Sequence, residues 1–212
     1  MDRKVSKGQE LEMRVMKIYI SDYAAKIHVR EISRMVKASH RTVSSILSRL
    51  ESRGIMRHEQ VGRSKQYSLN FENVTTKDCI KAAESFWKIR FLEKHFTMKK
   101  LIGEISDNLK NTPLILFGSY AKGSETKESD IDILILKTGE EKLAVKKISE
   151  FAETYKIDIQ LQKASPESFE AGVKERDNLV VEIMKSHIIL NNVDFFVDVF
   201  CRNLHGGFQH GK

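Results

Sequence analysis

The chain has only two cysteines in 212 residues, Cys79 and Cys201, too few and too isolated to build a disulfide framework. No cluster of His with Cys stands at metal-ligand spacing, which argues against a zinc site and leaves both thiols to be read as buried side chains. No apolar run approaches the length that spans a bilayer, and no signal peptide opens the sequence; the expected location is the cytoplasm, with no membrane partner. Internal repeats and low-complexity tracts are missing as well. What is present is 41% hydrophobic residues, enough over this length for two compact units near the lower end of domain size.

Charge is unevenly shared. Residues 1–70 hold fifteen Lys and Arg against seven Asp and Glu, residues 71–110 eight against six, and residues 111–212 thirteen against sixteen, within a net charge of +7. A basic third on a roughly neutral remainder suggests a nucleic-acid-facing module attached to a catalytic or sensing one.

The basic third has the periodicity of a winged helix-turn-helix. A first helix near Glu10 to Lys26 carries Leu11, Val15, Ile18 and Tyr19 on one face, and a second near Val29 to Lys37 carries Ile32, Met35 and Val36. Ser39 is the expected N-cap of a third helix, in which Val43, Ile46, Leu47 and Leu50 recur at helical spacing until Gly54. His40, Arg41, Thr42, Ser44, Ser45 and Ser48 are left outside, a face of small hydroxyl side chains with one arginine that suits a major groove. Two alternating stretches follow, Met56 to Val61 and Gln66 to Leu69. The basic turn Gly62-Arg63-Ser64-Lys65 joins them as the tip of a wing. The predicted contacts to duplex DNA are His40, Arg41, Thr42, Ser44, Ser45, Arg63 and Lys65, whereas Arg14, Arg30, Arg34 and Arg57 read as ordinary surface. Residues 9–70 resemble the winged-helix domains of prokaryotic transcription regulators, some of which mediate protein contacts instead.

Residues 75–96 predict a long linker helix with Ile80, Ala83, Trp87, Phe91 and His95 along one stripe. Such a stripe is either core or the interface of a homodimer, and a dimer would match palindromic half-sites. Lys99 to Leu109 reads as a lead-in helix, Pro166 to Met184 as one helix, His187 to Leu190 as a short strand, and Asp194 to Cys201 as a last helix with Phe195, Phe196 and Val199 in the core.

The chemistry concentrates after Pro113. Leu114-Ile115-Leu116-Phe117 has the character of a buried strand that ends at Gly118. There the missing Cβ would let a ligand approach the backbone, Ser119 offers a hydroxyl and an N-cap oxygen, and a short helical turn through Lys122 presents N–H groups to phosphate. A polar loop then returns the chain to a second strand, Asp130 to Leu136, in which Asp130 and Asp132 lie two apart and share one face. Paired carboxylates repel, and divalent cations such as Mg²⁺ relieve them while leaving positions for phosphate oxygens. Asp158 is a third candidate acid, placed by alternation on the polar face of a strand from Lys156 to Leu161. The arrangement would hold two Mg²⁺ ions and a nucleoside triphosphate.

The stretch from Phe117 through Gly123 and from Ser129 through Leu134 resembles the minimal nucleotidyltransferases of the DNA polymerase β superfamily, without departure from their Gly-Ser and Asp-x-Asp pattern. The resemblance spans residues 97–200. It implies triphosphate binding by Gly118 and Ser119, beside which Lys122 of the same turn is a further nucleotide-binding candidate, and metal binding and catalysis by Asp130, Asp132 and, by strand position, Asp158. It also implies a separate helical partner, a HEPN-type toxin, as acceptor of the nucleotide. Arg90 and His95 fit the spacing of a HEPN ribonuclease only superficially, since one helix is not a bundle.

The expected architecture is α+β: a winged-helix DNA-binding domain over 1–74, a linker helix over 75–96, a polymerase-β-like nucleotidyltransferase with a mixed sheet over 97–204, and a flexible tail over 205–212. The expected activity is transfer of a nucleoside monophosphate from ATP, or another nucleoside triphosphate, to a hydroxyl acceptor. The alternative is a transcription regulator whose nucleotidyltransferase domain binds nucleotide only as a signal.

Overall fold

The structure is a computed structural model that describes residues 6–204; the tail expected over 205–212 lies outside the described residues. The chain forms two compact units that divide between Ala83 and Glu84.

In the first unit, Ser6 opens helix α1 (Lys7–Ser21) with a capping box closed by Gln9. This helix stops earlier than its sequence pattern predicts, because Asp22 turns extended and its carboxylate accepts the amide of Ala24. Strand β1 (Ile27–His28) leads into α2 (Val29–Met35), where Ile32 and Val36 are buried but Met35, expected in the core, is 53% exposed. Lys37 takes a left-handed φ of 51° and ends that segment. Ser39 caps α3 (His40–Ser52) as expected, its hydroxyl accepting the Thr42 amide at 3.1 Å. Val43, Ile46, Leu47 and Leu50 are all buried.

The wing is tighter than its sequence reading. Strand β3 (Ser64–Leu69) already contains Ser64 and Lys65, so only Gly62 and Arg63 turn the chain back from β2 (Met56–Val61). The short β1, not foreseen, adds to the other edge of β3 and gives the antiparallel order β1-β3-β2. Helix α4 (Thr75–Lys94) follows, and the division between the units falls inside it. Ile80 and Ala83 on its stripe are fully buried.

The second unit is built on a mixed sheet of β4 (Leu114–Phe117), β5 (Ile131–Leu136), β6 (Ile159–Ala164) and β7 (Ile188–Asn191), in the order β6-β5-β4-β7. Only β5 and β6 run parallel. Helices α5 (Phe96–Leu109) and α7 (Lys142–Tyr155) cover one face, where Met98, Leu101, Ile105, Ile131, Ile133, Ile135, Ile148 and Phe151 form one cluster. α5 begins three residues before its expected start, directly after His95, and α7 had no counterpart in the sequence reading.

The helix expected over 166–184 is two: α8 (Pro166–Glu175) and α9 (Asn178–Lys185). Arg176 breaks it with a φ of 58°, and the Asp177 carboxylate caps the new start by accepting the amides of Leu179 and Val180 at 2.9 and 3.4 Å. In the last helix, α10 (Val193–Leu204), Phe196 and Val199 are buried while Phe195 is half-buried. Among the described residues no helix is long and apolar enough to cross a membrane.

Candidate active site and nucleic-acid interface

The ladder fixes which acids face together. Phe117 pairs with Asp132 across β4 and β5, and Asp132 pairs with Gln160 across β5 and β6. Because side chains alternate along a strand, Asp132 points away from the α5 and α7 cluster that Ile131 and Ile133 join, and the Asp130 carboxylate lies near enough to act on it. β5 begins one residue later than expected, at Ile131, and β6 three residues later, at Ile159, so Asp130 and Asp158 sit just before their strands. Lys156, expected in a strand, is the left-handed cap of α7. The backbone carbonyl of Asp158 accepts the Ile131 amide at 2.9 Å, which brings it beside the Asp130 pair.

The Gly-Ser turn differs from its sequence reading in a useful way. Helix α6 (Gly118–Lys122) starts at Gly118 with Phe117 as its N-cap, so Ser119 is inside the helix and caps nothing. Its Oγ is buried and has no hydrogen-bond partner among the described residues. Gly118 holds a φ of 69°, and a Cβ built on it would lie 2.0 Å from Asp132 Oδ2. The space that the missing Cβ leaves is taken by the Asp132 carboxylate, not kept open for a ligand.

Electrostatics single out Asp132. Burial raises its pKa, the neighbouring carboxylates of Asp130 and Glu182 raise it further, and Lys122 acts the other way. Glu182, from α9, had no place in the sequence reading because that helix was expected to run unbroken. Its Oε1 accepts Lys122 Nζ at 2.6 Å. Asp158 instead accepts a hydrogen bond from Gln160 at 3.0 Å and is exposed. Among the described residues no three His, Cys, Asp or Glu side chains converge closely enough to hold a metal ion, so the three acids share an edge of the sheet without forming a gathered three-ligand cluster. Crowded carboxylates, with the pKa of Asp132 raised among them, and an unpartnered hydroxyl on the adjoining turn nonetheless fit a divalent cation and a phosphate by the chemistry of their donors.

In the first unit, His40 and Ser44 of α3 and Arg63 and Lys65 of the wing line one open concavity of about 820 Å³. Arg30 and Arg34, read from the sequence as plain surface, line it too, as does His28. Arg41, Thr42 and Ser45 are exposed on α3, with Thr42 tied to the Ser39 cap. Arg14 bonds the Val36 carbonyl and Arg57 pairs with Glu72, so neither is available in the same way.

Residues 98–190 match the nucleotidyltransferase domain family, and residues 9–109 match the penicillinase repressor family. The chain joins a repressor-type winged helix to a nucleotidyltransferase domain. The two matches overlap over residues 98–109, which belong to α5 of the nucleotidyltransferase unit. No curated protein matches the chain. A solved structure described as a toxin-antitoxin with AMP-PNP is 22% identical, covers 51% of this chain and 86% of that one, and superposes with a TM-score of 0.33.

Proposed function

We propose that this nucleotidyltransferase transfers a nucleoside monophosphate from a nucleoside triphosphate, ATP in the first instance, to a hydroxyl on a partner protein, and that its winged helix holds it on duplex DNA. The observation that carries the reading is the buried, unpartnered Ser119 Oγ on a turn whose glycine is packed under the carboxylate of Asp132. Ser119 and Lys122 would take the phosphates, and Asp130, Asp132 and Asp158 would hold two Mg²⁺ ions. The ions would lower the pKa of the acceptor hydroxyl and neutralise the leaving pyrophosphate. The acceptor oxygen forms its bond to the α-phosphorus as the bond to pyrophosphate breaks. The protein acceptor, a helical toxin of HEPN type, rests on the sequence resemblance, and pairing of two copies on two half-sites rests on the apolar stripe of the linker helix.

Asp130→Asn keeps the shape of the side chain and removes one charge, so transfer from labelled ATP should fall about a hundredfold with the thermal midpoint unchanged. Equal labelling by wild type and variant would remove Asp130 from the chemistry. A wild type that binds ATP, changes its DNA affinity in response and labels no protein from its own cell extract would make the chain a nucleotide-sensing regulator.

The N-terminal face predicts a separate result. Changing Arg63 and Lys65 to Ala removes two cations from the wing, which should lower the slope of log affinity against log salt by about two for duplex DNA, read by fluorescence anisotropy. An unchanged slope would assign the winged helix to protein contacts.

A further inference from the structure

Glu182 is the charged residue of this site that neither the sequence motif nor the family match assigns. Its position depends on the break at Arg176 and Asp177, which starts α9 afresh, and on Val180 and Ile183, which bury the other face of that helix. The backbone under Glu182 is therefore fixed while its side chain remains 45% exposed. That carboxylate does two things at once: it takes the ammonium of Lys122 at 2.6 Å, and it adds to the negative charge acting on Asp132. Both effects oppose the entry of a polyphosphate, one by neutralising the cation that would receive it and the other by repulsion.

We propose that Glu182 is a displaceable latch on the nucleotide site, holding Lys122 until the triphosphate of a metal-bound nucleotide takes its place. This rests on the nucleotidyl-transfer reading above and adds a check on what enters. Exposure distinguishes this pair from a structural one. The His187–Glu84 pair of the same unit is 1% and 3% exposed and has no water to exchange into, whereas Lys122 and Glu182 are 47% and 45% exposed and their attraction is weakened by solvent and salt. A pair of that kind yields to a ligand carrying several negative charges. It does not yield to a neutral nucleoside, which has nothing to offer Lys122. The latch thus favours triphosphates presented with their cation, since the cation screens the acids while the phosphates compete for the lysine.

The test is calorimetric binding of ATP in Mg²⁺ to the full chain. Glu182→Gln should bind about three- to tenfold more tightly than wild type, with the gain shrinking at high salt and absent for adenosine. Lys122→Met should bind more weakly, and adding Glu182→Gln to it should recover less than the same change gives in wild type, because the lysine it would free is gone. Glu182→Ala serves as a second variant and should agree in sign. Unchanged or weaker ATP binding in both Glu182 variants, or an equal gain for adenosine, overturns the latch while leaving the transfer reading standing. A wild type that binds no nucleotide with Mg²⁺ overturns both.

Discussion

Gly118→Ala should lower nucleotidyl transfer at least about a hundredfold while the protein stays folded, because the substitution strikes the backbone conformation and the acid above it together. At a φ of 69° an alanine is strained whatever surrounds it, at a cost of about 1–2 kcal/mol. The larger effect is local. A new Cβ 2.0 Å from Asp132 Oδ2 and 2.9 Å from its Cγ must push the carboxylate aside by more than an ångström to reach ordinary contact distance. A misplacement of that size in a reacting group costs about a hundredfold. A transfer assay with labelled ATP, paired with circular dichroism to confirm the fold, reads the result. Gly123→Ala is the control: its φ of 68° carries the same strain, but a Cβ there meets nothing within 4 Å, so transfer should fall far less. Equal losses in the two variants would mean that backbone strain, and not displacement of Asp132, governs the site.

Much of this site was readable because short-range rules govern it. Two acids at i and i+2 in an apolar strand must share a face, and a glycine ahead of a short helix marks a turn that other residues enter with difficulty. The strand run Leu114 to Phe117 and the α3 stripe were legible for the same reason: their periodicities match the burial the structure gives them. What the pattern could not carry was the occupant of the space over Gly118, since that depends on register across β4 and β5, a tertiary fact. Asp158 shows the same limit, because alternation along an expected strand from Lys156 carries neither the later start of β6 nor the hydrogen bond that Gln160 donates to the Asp158 carboxylate. The break between α8 and α9 was missed because Glu167 through Lys185 keeps a helical apolar spacing across it, and Arg176 at φ 58° carries no glycine to mark the turn. Glu182 was lost with it. Arg30 and Arg34 carry no such signal in the sequence, since an exposed arginine is usually only solvated, and only the folding of α2 beside the wing places them on the concavity with Arg63 and Lys65.

Glu84→Leu should destabilise the nucleotidyltransferase unit by about 3 kcal/mol, near the lower end for breaking a buried ion pair, and should reverse the sign of its pH dependence. His187 is buried with both ring nitrogens facing acceptors, Nδ1 toward the Ile183 carbonyl at 2.8 Å and Nε2 toward Glu84 Oε1 at 3.0 Å. Only the protonated ring donates on both sides. Burial alone would lower the pKa of this imidazole, but the Glu84 carboxylate beside it and the carbonyls of Ile183 and Met184 outweigh burial and hold it above the ordinary histidine value. A folded pKa above the unfolded one contributes stability that is fully present below about pH 6.5 and is lost as pH rises through the raised value. Wild type should therefore weaken from neutral pH upward. With leucine at 84 the carboxylate is gone and burial dominates, so the folded pKa falls below the unfolded one and stability is lost as pH drops, when the buried neutral ring must take a proton. Thermal unfolding at pH 5.5 and pH 8.5 separates the two cases, and for a unit of this size the loss corresponds to roughly 10–15 °C in its midpoint. Pairing Glu84→Leu with His187→Phe should restore part of the loss and flatten the pH dependence, because the buried imidazole that titrates is gone along with its acid. A Glu84→Leu variant that weakens toward alkaline pH as wild type does would show that the carbonyls of α9 alone hold the histidine charged.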